Sequence, residues 1–349
     1  MAETSLYRKY RPQAFSEVVG QDHIVKVLEG QIKAHQPAHA YLFAGTRGTG
    51  KTTLARLLAK GLGTSPNDLV EIDAASNTGV DDVRELREAV RTLPFNSDYK
   101  VYIIDEVHML SKAAFNALLK TLEEPPSHVI FVLATTEDNK IPETIISRCE
   151  IHNFKKPNEE SLKKVLLRIV KKEGWKIDDA SASLIAFLGE GSFRDTIGVL
   201  QKVMAFSKDK KIDAEEVELI TGAPPSVAVR QLIAEILTGR ADNALAIIEK
   251  NLNGREPKIF GRLLLRNIRL AMLLKYSPST LAEIYPDIDK SEKLELQSLA
   301  DNQNSRFLPL LLKEFLEAME LMHYAYLPEL ALELATIKIT EKISKDEKN

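Results

Sequence analysis

Eight residues near the start of the chain have the types and the spacing of a phosphate-binding loop. They match the pattern G-x-x-x-x-G-K-[ST], in which glycine lets the backbone wrap closely around phosphates. Lys51 is predicted to reach the β and γ phosphates of a nucleotide, and the Thr52 hydroxyl to ligate Mg²⁺. The alternative is a chance glycine-rich turn. The loop and the residue after it read Gly45-Thr46-Arg47-Gly48-Thr49-Gly50-Lys51-Thr52-Thr53.

Two carboxylates follow the apolar stretch 101–104, where a strand would end. Ligands of open α/β sheets bind at the carboxyl ends of the strands. Asp105 is therefore predicted to hold Mg²⁺, directly or through water, and Glu106 to orient and deprotonate an attacking water. A strand that simply enters a polar loop would give the same local pattern. The phosphate loop upstream favours the functional interpretation.

Spacing alone leaves several further candidates open. Thr136 follows the apolar run 129–134 and is either a contact to the γ-phosphate or the water, or a plain strand-end threonine. Arg148 is a surface residue, a salt-bridge partner or an arginine finger. Arg194 opens a predicted helix and is either a second phosphate contact or an ordinary exposed arginine. His108 is interpreted as a packed or surface histidine, because the sequence offers no partner ligands for a metal.

The N-terminal segment mixes cations with aromatic rings ahead of a proline. Such side chains pack on a nucleotide base, although a solvated basic arm has the same composition. Two valines a few residues later could add an apolar wall. The candidates for contact with a base are Tyr7, Arg8, Arg11, Pro12, Val18 and Val19.

The elements that must position these residues alternate between strand and helix. This alternation predicts a parallel sheet with right-handed crossovers. The strand signal stops at Phe154, and helices are predicted beyond it. The predicted strands lie at 40–44, 69–73, 101–104 and 129–134.

Three domains are predicted, with boundaries at residues 155 and 222. The second boundary falls at a Gly-Ala-Pro-Pro break, which is typical of a linker. The last domain is helical and carries no constellation of catalytic residues, which suggests a role in assembly. On its final helix, the apolar residues predicted to face the core are Leu330, Leu334, Ile337 and Ile343.

Composition bounds the class of protein. The chain has 349 residues, of which 44% are hydrophobic and 28% charged, and a net charge of −3. These values predict a globular protein of several domains without a global bias towards nucleic acid. The single cysteine, Cys149, excludes an internal disulfide and a cysteine-based zinc site. With no signal-peptide core and no membrane-length apolar stretch, we expect a cytoplasmic protein.

Taken together, these motifs resemble the γ/τ subunits of bacterial DNA polymerase III, the AAA+ ATPases of the clamp loader. The resemblance implies an α/β P-loop AAA+ domain (a parallel sheet flanked by helices) at 1–155. A small helical lid at 156–222 and an all-α collar at 223–349 would follow. The matching stretches are Tyr7–Pro12, Gly45–Thr52, Glu71–Ser76, Ile104–Leu110, Asn116–Pro126, Ala134–Thr136 and Ser147–Cys149.

The resemblance also implies roles for the open candidates. Thr136 takes the sensor-1 place, and Arg194 takes the sensor-2 place in the lid. Arg148 takes the place of the arginine finger, which reaches ATP bound to the neighbouring subunit. The segment Tyr7–Pro12, with the two valines, falls where the family holds adenine. ATP and Mg²⁺ are the implied ligands.

The implied assembly is a pentameric ring built through the collar from further copies of this chain with the δ and δ′ subunits. The ring would bind and open the sliding clamp when loaded with ATP, and release it on primer–template DNA at the replisome. DNA contacts would be to the backbone, with residues 76–87 as candidates. No membrane contact is expected.

Two features depart from the family pattern. Gly61–Asn67 stands where members usually carry a four-cysteine zinc module, so we predict no zinc. The chain ends after the collar, and we expect a γ-like form or a shortened chain. The alternatives to a clamp-loader ATPase are a non-hydrolysing ring scaffold and another AAA+ motor, such as a branch-migration helicase. Lys51, Asp105 and Glu106 argue against the scaffold, and the helical end argues against the helicase.

Overall fold

The computed structural model describes residues 5–76, 86, 88–285, 288 and 290–346. The chain forms two compact units, of which the first comprises residues 1–169 and 189–201 and the second residues 170–188 and 202–349. The division into three domains at residues 155 and 222 remains a prediction.

A five-stranded sheet forms the centre of the first unit, and every pair of neighbouring strands in it is parallel. Its strand order is β2-β3-β4-β1-β5. Because Ala44 pairs with Thr135 and Asp73 with Asp105, the carboxyl ends of these strands meet at one edge. The bounds are β1 Ala40–Ala44, β2 Leu69–Asp73, β3 Lys100–Asp105, β4 Val129–Thr135 and β5 Glu150–Asn153.

The sequence predicted four of these strands and missed β5. This strand lies at the edge of the sheet, where its apolar residue Ile151 is exposed and its one buried residue is the polar His152. An edge strand with a single buried polar residue has no apolar run to reveal it. In contrast, all residues of β1 and β4 are buried, which is typical of central parallel strands.

Helices cover both faces of this sheet, with one apolar cluster on each face. The Ser111 side chain accepts a hydrogen bond from the Ala114 N–H and caps one helix, as expected for a serine at that position. The helices are α1 Leu6–Lys9, α2 Asp22–Ala34, α3 Lys51–Gly61, α4 Lys112–Glu123 and α5 Glu143–Ile146. Two more, α6 Glu159–Lys172 and α8 Phe193–Phe206, begin in this unit.

The second unit is mainly helical. A pair of two-residue parallel strands, β6 Lys176–Ile177 and β7 Lys211–Ile212, was not predicted. No helix in the described part of the chain combines the length and the hydropathy needed to cross a membrane. The helices are α7 Asp179–Leu188, α9 Ala214–Thr221, α10 Ser226–Leu237, α11 Ala241–Leu252, α12 Pro257–Tyr276, α13 Pro278–Ile284, α14 Lys290–Ala300, α15 Leu308–Leu321 and α16 Glu329–Asp346.

The prediction of the buried face of α16 was wrong. Leu330, Leu334 and Ile337 are 40%, 63% and 36% exposed, and only Ile343 of the predicted four is buried. The buried face instead includes Thr336, whose hydroxyl donates to a carbonyl one turn earlier in its own helix. A threonine satisfied in this way can be buried, so counting apolar residues alone selected the wrong face.

Candidate nucleotide-binding site

The phosphate loop joins β1 to α3 and depends on glycine at two positions. Gly50 has φ +104° directly before α3, a conformation that strains any L side chain. Gly48 has φ +76°, and a Cβ there would lie 1.9 Å from Ser192 Oγ. The Phe193 N–H also donates to the Gly48 carbonyl over 3.0 Å. The loop therefore packs directly against the start of α8.

Lys51 lies inside this loop, at the start of α3. Its side chain is buried, and Nζ donates to the carbonyl oxygens of Gly45 at 2.7 Å and Thr46 at 3.0 Å. Burial lowers the pKa of the Lys51 ammonium, while the carboxylates of Glu106 and Asp105 act to raise it. A cation held at a helix N-terminus makes this position suited to an anionic group.

Thr52 and Asp105 meet at the carboxyl edge of the sheet. The Thr52 hydroxyl donates to Asp105 Oδ2 over 2.8 Å, and the other carboxylate oxygen accepts the Glu106 N–H at 3.1 Å. Mg²⁺ prefers oxygen ligands of this kind and is usually bound through one or two protein groups and the phosphates of the substrate. The pair therefore fits the predicted Mg²⁺ site.

Glu106 has φ +50° and ψ +44°, a left-handed conformation that is uncommon for residues other than glycine. Its carboxylate Oε2 accepts a hydrogen bond of 2.9 Å from the Thr136 hydroxyl. The two residues follow the ends of the neighbouring strands β3 and β4. The predicted base and the predicted sensor-1 residue are thus in direct contact.

A cavity of about 140 Å³ opens beside these groups, within the first unit. Its walls come from the N-terminal arm (residues 7–19), the phosphate loop with α3, the end of β3, and helices α6 and α8. The lining residues are Tyr7, Tyr10, Arg11, Pro12, Glu17, Val18, Val19, Arg47, Gly48, Thr49, Gly50, Lys51, Thr52, Thr53, Leu54, Asp105, Glu106, Val165, Arg168, Phe193, Arg194 and Ile197.

Comparison with known proteins identifies the family. The family model for DNA polymerase III, delta subunit, matches residues 63–158, and that for DNA polymerase III subunits gamma and tau, domain III, matches residues 212–348. DNA polymerase III subunit gamma of Buchnera aphidicola is 33% identical, over 97% of this chain and 99% of that subunit. This chain belongs to the DNA polymerase III gamma/tau family.

DNA polymerase III subunit tau of Bacillus subtilis is a longer protein than this chain and is 37% identical over 98% of this chain. The chain spans 64% of the length of that subunit. Among solved structures, the RuvB Holliday junction branch migration motor of Thermotoga maritima has a TM-score of 0.53 at 24% identity, over 65% of this chain and 79% of that one. At this identity the likeness shows a shared fold and nothing more.

Some of the predicted nucleotide-site residues do not line the cavity. Arg8 donates from Nε to the Tyr7 hydroxyl at 3.1 Å. The carbonyls of Gly45 and Thr46 accept hydrogen bonds from Lys51, which does line the cavity. The Thr136 hydroxyl likewise donates to Glu106, another lining residue. Arg194 does line the cavity, and its guanidinium lies 5.8 Å from the centre of the Tyr7 ring.

Arg148, the predicted arginine finger, forms an ion pair within its own chain. Its guanidinium donates to Glu123 Oε1 and to the Thr144 carbonyl, each over 2.7 Å, and it does not line the cavity of its own chain. A salt bridge was one of the three alternatives left open by the sequence. The Arg148 side chain is one third exposed.

Sequence reasoning missed several lining residues. Val165 belongs to an apolar stripe on α6 that predicts core packing, and Arg168 lies one turn further along the same helix. Phe193 and Ile197 flank Arg194 at helical spacing. These patterns look the same for a core face and a cavity wall, so they gave no separate signal. The missed residues are Glu17, Leu54, Val165, Arg168, Phe193 and Ile197.

Two other predictions stay predictions, those of the DNA-contacting segment and of the absence of zinc. Of the candidate DNA segment 76–87, only Ser76 and Leu86 belong to the described residues. In the described part of the chain, no group of three or more His, Cys, Asp or Glu side chains could hold a metal. The prediction of no zinc therefore stays a prediction.

Proposed function

We propose that this chain is an ATP-hydrolysing subunit of the bacterial clamp loader, which loads the sliding clamp onto primer–template DNA. The observation that carries the proposal is the convergence of Lys51, Thr52, Asp105 and Glu106 on one cavity in a gamma/tau chain. A phosphate loop, a Mg²⁺ pair and an adjacent carboxylate are the parts that phosphoryl transfer to water requires.

In this proposal Lys51 exchanges its two carbonyl partners for the β and γ phosphates. Thr52 and Asp105 hold Mg²⁺, which neutralises charge on the phosphates when bound. Glu106 accepts a proton from the attacking water, and the Thr136 hydroxyl fixes the direction of that carboxylate. Residues 7–12, with Val18 and Val19, enclose the base, and Arg194 contacts the phosphates.

The assembly we propose is a ring of five subunits, formed by copies of this chain with δ and δ′ in the bacterial cytoplasm. An exposed apolar stripe on α16 supports assembly through the helical region, because Leu330, Leu334 and Ile337 would be covered in a ring. The Arg148 side chain is one third exposed and lies outside the cavity of its own chain, which supports a role at the ATP of a neighbouring subunit.

The first test replaces the buried lysine. Lys51→Met should weaken Mg·ATP binding by roughly 10- to 100-fold, since a hydrogen bond to a charged group contributes about 1.5–3 kcal/mol. Binding is measured by isothermal titration calorimetry, and steady-state hydrolysis is measured with clamp and primed DNA. Lys33→Met, at an exposed lysine of α2, is the matched control. Equal affinities of the wild type and Lys51→Met would rule out this phosphate site.

The second test separates the arginine finger from the salt bridge. In the complex with δ, δ′ and clamp, Arg148→Ala should lower stimulated hydrolysis by about 10³- to 10⁵-fold while ATP binding is retained. Glu123→Gln breaks the same ion pair but leaves the arginine, so it should hydrolyse ATP at close to the wild-type rate. If both variants hydrolyse ATP normally, Arg148 is only a surface ion-pair partner.

A third measurement addresses the alternatives. Capture of the chain by δ, δ′ and clamp in an ATP-dependent manner supports the clamp-loader assignment. A complex that binds ATP without turnover would indicate a ring scaffold. Strand displacement by the isolated protein would indicate another AAA+ motor.

A further inference from the structure

His108 lies next to the candidate active site, and the motifs assign no role to it. It belongs to a short 3₁₀ helix, Val107–Met109, directly after Glu106. Its side chain is only 6% exposed. The sequence predicted a packed or surface histidine, and the structure shows that it is packed.

The imidazole lies between two carboxylates. Nδ1 is 3.0 Å from Thr135 Oγ1 and 3.6 Å from Glu106 Oε2, and Nε2 is 3.4 Å from Glu137 Oε1. Glu137 is held in turn, because Lys140 donates to its other oxygen over 2.7 Å. A short line of side chains thus runs from the loop after β4, through the ring, to the catalytic carboxylate.

The same oxygen of Glu106 faces both the ring and the Thr136 hydroxyl. The contact of 3.6 Å is too long for a hydrogen bond, so the ring acts on the carboxylate by packing and not as a direct donor. Its own direction is set by Thr135 and Glu137, which contact opposite edges of the imidazole. The Glu106 carboxylate is thus contacted from two sides, by the Thr136 hydroxyl and by the His108 ring.

We infer that His108 is a positioning residue for ATP hydrolysis, which keeps the Glu106 carboxylate aimed at the attacking water while Glu137 fixes the ring. This inference rests on the proposed function, in which Glu106 is the general base. It assigns the His108 ring and Glu137 to the hydrolytic step and not to the binding of ATP.

Three substitutions at His108 test the inference by kcat and KM in the assembled complex. His108→Ala should lower kcat by about 10- to 100-fold, because misplacing a catalytic group by about 1 Å costs about 10²-fold. KM should change less than kcat. His108→Asn keeps a polar group near the position of Nδ1, and His108→Gln keeps one near Nε2. At least one of these two should recover part of the rate lost in His108→Ala.

A second readout uses the base itself. In a Glu106→Gln background, His108→Ala should cause no further loss in the residual rate, because there is no longer a base to position. The matched control is His128→Ala, at a histidine beyond the opposite end of β4 whose Nε2 lies 3.2 Å from the Val90 carbonyl. This control should retain the wild-type kcat.

The outcomes are distinct. If wild-type protein does not hydrolyse ATP, the proposed function fails and this inference fails with it. If the wild type hydrolyses ATP and His108→Ala matches its kcat, only the inference fails. A rate loss that persists in the Glu106→Gln background, or one confined to KM, would also overturn it. Should the alanine variant not fold, the asparagine and glutamine variants decide by the same comparison.

Discussion

The strands of the central sheet end at two edges, the carboxyl edge and the amino edge, which use polar groups in opposite ways. At the carboxyl edge, Lys51, Asp105 and Glu106 line a cavity and contact groups within the site itself. At the amino edge, Asp68 directly precedes β2 and is 1% exposed. The strands are the same, so the difference lies in what surrounds their ends.

Asp68 is almost completely satisfied by fixed neighbours. Its carboxylate accepts from the backbone N–H groups of Phe95 and Asn96 and from the Ser65 hydroxyl, and its carbonyl accepts the Val101 N–H. These hydrogen bonds, the Phe95 N–H first, hold the pKa of Asp68 well below its usual range. The residue ties two loops to the start of the sheet and has no capacity left for a ligand.

The type of hydrogen-bond partner separates structural from functional polar groups at these two edges. A carboxylate saturated by backbone N–H groups stabilises the fold. At the cavity, in contrast, Lys51 donates to loop carbonyls and Thr52 to the Asp105 carboxylate. Both side chains can exchange these partners for a ligand. Substitutions at the carboxyl edge should therefore cost activity, and substitutions at the amino edge should cost stability.

The largest effect is expected at the carboxyl edge. Glu106→Gln removes the proposed general base and should lower kcat by about 10²- to 10⁴-fold. ATP affinity and the thermal unfolding midpoint should stay close to the wild-type values. Single-turnover hydrolysis, calorimetric titration and differential scanning calorimetry measure these three quantities. A large fall in the unfolding midpoint would show that the carboxyl edge also stabilises the fold, so that the two edges do not differ in this respect.

An intermediate effect is expected at the amino edge. Asp68→Asn replaces an acceptor-only group with one that brings two unmatched N–H donors, so the unfolding midpoint should fall by several degrees. ATP affinity and kcat should not change. Asp98→Asn, at an exposed aspartate of the same region, is the control and should unfold like the wild type. Loss of ATP binding in Asp68→Asn without loss of stability would contradict the assignment.

Asp68 should also make the free energy of unfolding depend on pH in the acid range. Because the pKa of Asp68 is lower in the folded state than in the unfolded chain, the folded state binds fewer protons. The stabilisation is present above the unfolded value of about 3.9 and is lost as the pH falls below it. Urea unfolding between pH 7 and pH 3 should therefore show a smaller loss of stability in Asp68→Asn than in the wild type. Parallel curves would refute this.

The smallest effect is expected between the edges, in the middle of β3. The Tyr102 ring stacks on Phe131 with 5.5 Å between centroids, and its buried hydroxyl has no hydrogen-bond partner among the described residues. Burial raises the pKa of Tyr102 to about 12. Tyr102→Phe should change the free energy of unfolding by less than about 1 kcal/mol and leave hydrolysis unchanged. A clear destabilisation in urea would show that the hydroxyl is satisfied.

The sequence predicted the parts of the molecule that depend on local patterns. The central strands carry continuous apolar runs, and the phosphate loop and Asp105 carry spacings with few other meanings. Features that depend on distant contacts were missed or left open. The partner of Arg148 is Glu123, which no spacing rule connects to it. The bridge from His108 to Glu137 joins residues from the ends of two different strands.

Gly48 shows how a motif can be more restrictive than its pattern. The phosphate-loop pattern allows any residue at this position, yet the close approach of Ser192 leaves no room for a side chain. A redesign of the loop, for example to alter nucleotide preference, can therefore vary Thr46 and Arg47 but not Gly48. Changing Gly48 would push away the helix that carries Arg194.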